Sequence, residues 1–523
     1  MPRNFDAIVI GSGLGGLTAG ALYARAGHRV LLLERNGQFG GAATTYQHGA
    51  LTIEASLHET TSPHDTKDPK SQIFQALDIM DDIDFVPVGV FYEVRSPLLG
   101  EPFVLPHGLD AAEQALIQRF AQHTKSIREL FRRLHVIRDT MAMFMEKHDG
   151  LWWFLHTPTL PLRLWSVLRD SRKSLAAVFQ RLFGDDERIK IALAANLAYY
   201  ADDPDQLWWL MYAVAQSGYI AGGGYYIHGG SRRLSDRLVK IIEEEGGIAE
   251  ANRTVVRILL DENGHACGVE HESTYGGESQ IDQAPVLFGN AAPHVLAKTL
   301  PAHVQEAFMA PYANKPLSLS LFSIALGLNR RPREFGVKSY STYLLPEWMT
   351  SLSSKRENAK LLSRSPGEKM PSIVFVDYSV IDSGINEQSP FLASITGLDH
   401  VDNWAGLTKE QYDQRRNEWM EAIIKLLDNE FPGLASAVVQ KEMATARTMQ
   451  EYLNTPDGAL YGFAQRPPEH LPLKGPERTP KTTIEGLWLA SAFAGSGGYT
   501  GAMMSGATAA RLALAHDKPF KRE

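Results

Sequence analysis

Three glycines and one carboxylate set the first chemistry open to this chain. Gly11, Gly13 and Gly16 stand in G-x-G-x-x-G spacing directly after the apolar, β-branched run Ala7 to Ile10. Gly11 permits a tight turn, Gly13 leaves room for a pyrophosphate beside the backbone, and Gly16 lets a following helix pack closely on the strand. Glu34 comes eighteen residues after Gly16, at the end of a second apolar run, where a carboxylate can accept both hydroxyls of an adenosine ribose. The same carboxylate would repel a 2′-phosphate, so the expected ligand is FAD or NAD and not NADP.

These residues have to be positioned by a strand, a helix and a second strand. Leu14 to Ala26 reads as the helix, Gly27 stops it, and Arg29 to Leu33 is the next strand. The helix aims its unpaired N-terminal N–H groups and the positive end of its dipole at the phosphates. Gly40 and Gly41 then allow a second close approach of backbone to a dinucleotide, which a nicotinamide-only dehydrogenase does not need.

The 523 residues suggest two interleaved domains with ample core, and 44% hydrophobic and 21% charged residues are ordinary for a globular protein. A net charge of −8 argues against a nucleic-acid partner. The single cysteine, Cys267, excludes an internal disulfide and a multi-cysteine metal site; no metal is expected. The first strand begins by Asp6, which leaves no room for a leader upstream, and no apolar run approaches the ~20 residues that span a bilayer. The expected location is cytoplasmic, with peripheral attachment to a membrane as a possibility.

Further along, Asp110 to Lys147 repeats apolar residues at helical spacing and reads as one long helix. Between residues 121 and 175, ten Lys/Arg stand against five Asp/Glu, interleaved with Trp152, Trp153, Phe154 and Trp165. Residues 150–173 therefore suit contact with an anionic lipid surface, a helical lid over an apolar pocket, or both. A buried helix ends at the glycine triplet 222–224, and Ser231 opens an amphipathic helix closed by Gly246 and Gly247. Asn263-Gly264 marks a hairpin over Arg257 to Glu270, and the runs 317–328, 371–381 and 390–398 read as strands of a separate sheet. Leu352 to Lys369, charged and serine-rich, reads as an exposed loop; Glu410 to Asn429 reads as a helix. Near the end, strand Leu487 to Ala490 enters a glycine-dense turn, 495–501, and a helix of small residues follows. A helix N-terminus there suits the electron-rich edge of a reduced flavin ring, worth ~0.3–2 kcal/mol.

The runs V-I-G-S-G-L-G-G-L-T-A-G, L-L-E-R and F-G-G-A, the block from Gly223 to Val239, Asn290-Ala291-Ala292-Pro293, and Thr455-Pro456 with the segment Gly458 to Phe463 resemble the FAD-dependent oxidoreductases of the phytoene desaturase, carotenoid isomerase and retinol saturase group. The amine oxidases are more distant members of that superfamily. The resemblance implies an α/β fold in which a Rossmann-like FAD-binding domain is interleaved with a mixed-sheet substrate domain and a helical lid. The implied boundaries are 1–100, 225–310 and 480–523 for FAD, 311–479 for the substrate domain, and 110–220 for the lid. Gly11, Gly13, Gly15, Gly16, Glu34, Arg35, Gly40, Gly41 and Ala42 are the implied FAD contacts of the first block. Val255, Asn290, Ala291, Gly498, Thr500, Gly501 and Ala502 complete the set. Two departures stand out: Ala42 where many members carry Arg, and Glu54-Ala55-Ser56 where many carry Asp-x-Gly.

His58, at the end of an expected strand Thr52 to His58, either faces flavin and substrate or is a satisfied histidine at a strand end. It and Tyr499 are the candidate catalytic residues. Tyr225, Tyr226 and Tyr461 are candidates for lining the substrate pocket, with plain packing beside the glycine turn the alternative for the first two. The resemblance implies hydride transfer between flavin N5 and an apolar polyene or isoprenoid, giving desaturation, saturation or cis–trans isomerisation. Oxygen, a quinone or a visiting nicotinamide would exchange the electrons. An amine-oxidase-like enzyme on a smaller polar substrate is the alternative and asks for a lysine near the flavin, which the matching blocks do not offer. A non-catalytic FAD- or lipid-binding protein is a third reading.

Overall fold

The computed structural model describes residues 2–145, 160–469 and 478–516. Ala7–Ile10, Val30–Leu33 and Val286–Gly289 are buried along their whole length. Strands apolar on both faces need cover on both faces, the arrangement of a parallel sheet between helices. They form the centre of a five-stranded parallel sheet, ordered Ile248–Glu250, Val30–Leu33, Ala7–Ile10, Val286–Gly289, Leu487–Leu489. Residues from the start, middle and end of the chain therefore lie side by side.

The helix Leu14–Arg25 packs against both Arg232–Glu244 and the last helix, Gly498–His516. A Cβ at Gly506 would stand 2.0 Å from the Gly15 carbonyl oxygen, so only glycine permits that crossing. A second, four-stranded sheet contains the hairpin Arg253–Leu260 and Ala266–Ser273.

The other large sheet has seven strands, ordered Val438–Ala444, Ser320–Leu328, Phe391–Asp399, Ile373–Asp377, Ser341–Leu344, Tyr92–Arg95, Phe103–Leu105. All neighbours are antiparallel except Ser341–Leu344 with Tyr92–Arg95. Alternation assigns its faces. Phe322, Ile324, Leu326 and Leu328 enter a rear core with Trp419, Ile423 and Leu427 of helix Lys409–Glu430, while Leu321 and Ser323 face a cavity. Helices Thr124–Met145 and Trp209–Gly222 cover that cavity, and helices Leu109–Arg119 and Leu160–Leu168 pack against Thr124–Met145 behind it. Arg133 of helix Thr124–Met145 and Asp170, in the turn after helix Leu160–Leu168, are both fully buried and pair at 2.7 Å.

The structure departs from the sequence reading at four places. The single helix over 110–147 is two, because Phe120 leaves helical geometry at φ −128°, ψ 55°. The strand over Thr52 to His58 ends at Glu54, whose carboxylate accepts the backbone N–H of Leu57 and folds the chain back. Residues 352–362 are not an exposed loop, since short helical turns bury Leu352, Lys355, Asn358, Leu361 and Leu362, whereas 363–369 are exposed as expected. Strands within 92–105 belong to the seven-stranded sheet and not to the nucleotide unit. Trp152, Trp153 and Phe154 lie outside the described residues. Among those described, no helix is long and apolar enough to cross a membrane.

Candidate active site

One cavity of 660 Å³ runs from the N-terminal glycine turn to the face of the seven-stranded sheet. That volume suits a ligand-binding cleft. At the nucleotide end, Gly11 takes φ +94°, the left-handed turn for which glycine is needed, and the N-terminus of helix Leu14–Arg25 opens beside it. The backbone N–H of Gly40 donates to Ser12 O at 3.1 Å, and Gly13 bridges Gly40, so the two glycine loops stack. Gly41 lies so close that its Cβ would stand 3.2 Å from Gly13 Cα.

Gly13 carries a constraint beyond the sequence reading. A Cβ there would meet Asn290 Nδ2 at 2.6 Å, so that side chain crowds the position in addition to any pyrophosphate. Asn290 Nδ2 in turn donates to Gly11 O at 3.3 Å and locks the turn. Glu34 is also more constrained than expected. Its Oε2 accepts from Ser12 N (2.8 Å) and Ser12 Oγ (2.6 Å), and its Oε1 accepts from Asn36 N (2.7 Å). A carboxylate offers about four acceptor positions, so one ribose hydroxyl fits here in place of two. Arg35 sends its guanidinium to the carbonyls of Glu451 (3.1 Å) and Tyr452 (2.7 Å), closing the C-terminal end of helix Ala446–Leu453 against the nucleotide end.

Gly15, Gly40, Gly41, Ala42, Val255, Asn290 and Ala291 line this part of the cavity. So do Gly498, Thr500, Gly501 and Ala502 from the opposite end of the chain. Gly16 does not; a Cβ there would sit 2.4 Å from Gly11 O, and its role is helix–turn packing. Two helix N-termini, at Leu14 and at Gly498, thus converge on one space, each with unpaired N–H groups and positive partial charge. Backbone donors, a partly free carboxylate and two positive helix ends fit a dinucleotide.

Beyond this cradle the segment Glu54 to Thr61 forms one wall. Glu54 is buried. Its carboxylate accepts from Ser231 N (2.9 Å), Ser231 Oγ (2.6 Å) and Tyr226 Oη (3.0 Å), and burial pushes it above the usual carboxylate range despite these bonds. Tyr226 is thereby corrected from pocket wall to core: it is fully buried and absent from the cavity lining. Tyr225 also lies off the cavity, its ring packed edge-on against His64 at 6.0 Å. Tyr461 does line it, held over the C-terminal glycine turn.

His58 and Tyr499 both face the cavity. His58 Nε2 lies 3.2 Å from Thr396 Oγ1, and burial pushes the imidazole down to about 4, so it is neutral at physiological pH. Tyr499 Oη lies 3.3 Å from Ser56 Oγ, which donates to Ala42 O at 2.7 Å; burial raises the phenol well above its usual range and keeps its proton on.

Several wall residues carried no recognisable sequence signal. Glu59, Tyr199, Tyr219, Tyr343 and Lys355 all line the far chamber with the apolar Met211, Val214, Leu321, Val374 and Leu398. Lys355 is 2% exposed, donates to Ala195 O at 2.7 Å, and burial pushes it down to about 7. It was hidden because its charged neighbours imitate a solvated loop. The aromatic residues come from three separate elements and meet only in the fold.

Comparison with known proteins follows the same division. The model of the NAD(P)-binding Rossmann-like domain matches residues 9–75. The chain is similar to the all-trans-retinol 13,14-reductase of Macaca fascicularis, 26% identical over 491 residues, covering 88% of this chain and 78% of the relative. It is also similar to the chloroplastic prolycopene isomerase of Daucus carota, 24% identical over 99% of this chain and 82% of that protein. Among solved structures, cyclohexylamine oxidase from Brevibacterium oxydans shares the fold at a TM-score of 0.59, with 17% identity, across 98% of this chain and 99% of its own.

Proposed function

We propose, from the premise that this chain is a homologue of the retinol 13,14-reductases and prolycopene isomerases, that it is an FAD-dependent oxidoreductase acting on carbon–carbon bonds of a long apolar polyene or isoprenoid. The observation that carries the reading is the continuity of one cavity. Glycine turns from both ends of the chain border its dinucleotide end, and apolar and aromatic side chains wall the rest. Bound FAD would supply a hydride donor or acceptor beside that chamber.

The protein's own residues do the remainder. The Gly11–Gly16 turn and the helix end at Gly498 would hold the diphosphate and the ring edge, and Glu34 Oε1 one ribose hydroxyl. Met211, Val214, Leu321 and Leu398 exclude water and align an extended apolar chain, which favours reaction by positioning. His58 and Tyr499 enter uncharged, so the imidazole ring and the phenol Oη can each hold a proton without placing a charge in the chamber.

The amine-oxidase-like alternative gains a buried lysine, Lys355, on the wall. Its amine is already committed to Ala195 O, and the relatives that match most of the chain carry polyene substrates in their names.

The experiment is incubation of the purified yellow protein with phytoene, lycopene isomers, retinol and fatty acids under oxidising and under reducing conditions. Loss of two hydrogens, gain of two, or a retention shift at unchanged mass identifies desaturation, saturation or isomerisation. A bound flavin that neither bleaches with dithionite nor converts any polyene refutes the proposal.

We also propose peripheral membrane contact through the helical layer. Leu162 and Trp165 of helix Leu160–Leu168 are 76% and 66% exposed, with Arg163 and Arg169 beside them. The remainder of the expected 150–173 anchor lies partly outside the described residues.

A further inference from the structure

Lys70 places a charge where folding alone disfavours one. It is 1% exposed and stands in the first turn of helix Pro69–Leu77, which Asp68 caps. Burial penalises a cation, and the positive end of the helix dipole opposes it again. Its Nζ meets three oxygens, Thr60 Oγ1 at 2.8 Å, Thr61 O at 2.5 Å and Thr61 Oγ1 at 2.9 Å, and none of them belongs to a carboxylate. The acids in range are engaged elsewhere: Asp65 pairs with Arg138, and Asp68 accepts the backbone N–H of Lys70 at 2.8 Å.

The three oxygens set the direction of a hydrogen-bond chain. Burial pushes the amine down to about 8, which leaves it protonated at neutral pH. An ammonium has three donors and no acceptor, so these oxygens take all its protons. Thr61 Oγ1 therefore accepts from Lys70 and turns its own proton away from it, toward Thr500 Oγ1 at 3.4 Å. Thr500 in turn has its proton free for the cavity, which Thr60, Thr61 and Thr500 all line. Lys70 itself lies behind that wall, on a helix that packs against helix Gly498–His516.

The bonds of such a chain polarise one another, so a cation at the far end strengthens the last donor. Thr500 belongs to the helix end that would hold the edge of the flavin ring. That edge gains negative charge when the ring takes up electrons and is neutral when it is oxidised. We infer that Lys70 is a positioning residue for the redox balance, acting through Thr61 and Thr500 to favour reduced over oxidised flavin. This rests on the proposal that FAD fills the cavity, and adds to it a residue outside the cavity wall.

The test is the midpoint potential of the bound flavin, measured at pH 7 by equilibrating the loaded protein and a reference dye with a slow enzymatic reductant. Lys70→Met should lower the reduction equilibrium at least tenfold, about 30 mV for two electrons. Lys70→Gln, which keeps a donor without the charge, should shift the potential in the same direction and serves if the apolar variant fails to fold. Thr500→Val leaves the lysine in place and breaks the chain, so it should also lower the potential, and Thr500→Ser, which keeps a hydroxyl, should lower it less. Lys70→Met combined with Thr500→Val should fall short of the sum of the single shifts, because both act on one chain. Flavin content and melting temperature are read alongside, since a merely structural lysine would move these and leave the potential of the retained flavin at its parent value. An unchanged potential in the Lys70 variants overturns the inference and leaves the FAD proposal standing. Shifts that add in full overturn the route through Thr500, and a parent protein that holds no flavin overturns both proposals.

Discussion

Gly13 shows how a correct motif can be carried by an unexpected contact. Its φ of −63° is open to any residue, so the requirement for glycine is steric, and the nearest obstacle within the protein is the Asn290 side chain. Gly13→Val should therefore unseat Asn290, release its bond to Gly11 and yield soluble protein without flavin, read as the ratio of visible to near-ultraviolet absorbance. The two explanations separate in Gly13→Ala combined with Asn290→Ala. If the neighbour is the obstacle, the double variant retains markedly more flavin than Gly13→Ala alone. If ligand space is the obstacle, the second substitution restores nothing.

Elements with a strong period were legible in the sequence, and elements set by single contacts were not. The strands Ala7–Ile10 and Val286–Gly289 are uninterrupted apolar runs, and helix Arg232–Glu244 buries Leu234, Leu238, Ile241 and Ile242 at helical spacing. The dinucleotide cradle was legible for the same reason, since its spacing is local. The far chamber was not, because Tyr199, Tyr343 and Lys355 come from distant segments. Segment 352–369, misjudged over 352–362, illustrates the physics: its charges outnumber its apolar residues, yet Leu352, Leu361 and Leu362 dominate the packing and drag Lys355 inside. That burial has a measurable signature. A free lysine titrates near 10.4, whereas Lys355 in the fold is pushed down to about 7. Between these values the unfolded chain binds one more proton than the native one, so stability rises with pH across that window. Lys355→Met removes this term. Its urea-derived unfolding free energy should climb less steeply from pH 7.5 to 9, by ~1.4 kcal/mol per pH unit, and at pH 7.5 the variant should match or exceed the parent. Parallel pH profiles would show that the amine is hydrated in the native state.

At the scale of the whole molecule, the location of the cavity mouth links the chemistry to a surface. Met141 both borders the cavity and is 37% exposed, and Arg138 and Lys67 border it nearby. Helix Thr124–Met145, which carries Met141, packs against helix Leu160–Leu168, where Leu162 and Trp165 stand in solvent. If the substrate is the proposed polyene, which is scarcely soluble in water, and the membrane contact proposed above holds, an entrance beside Met141 would let it pass from bilayer to chamber without crossing solvent. Burying one large apolar side chain contributes ~1.5–3 kcal/mol, and each 1.4 kcal/mol is tenfold in binding. Leu162→Ser with Trp165→Ser should therefore reduce co-sedimentation with vesicles containing anionic lipid by at least tenfold. Binding of the parent should fall as salt is raised, since part of the attraction comes from the arginines. Turnover of a detergent-dispersed polyene should be unaffected, because neither residue lines the cavity, while turnover of polyene supplied in vesicles should fall with vesicle binding. Undiminished vesicle binding in the double variant would remove this face as the membrane contact, and a matching loss on dispersed substrate would mean that the helix shapes the chamber and not its access.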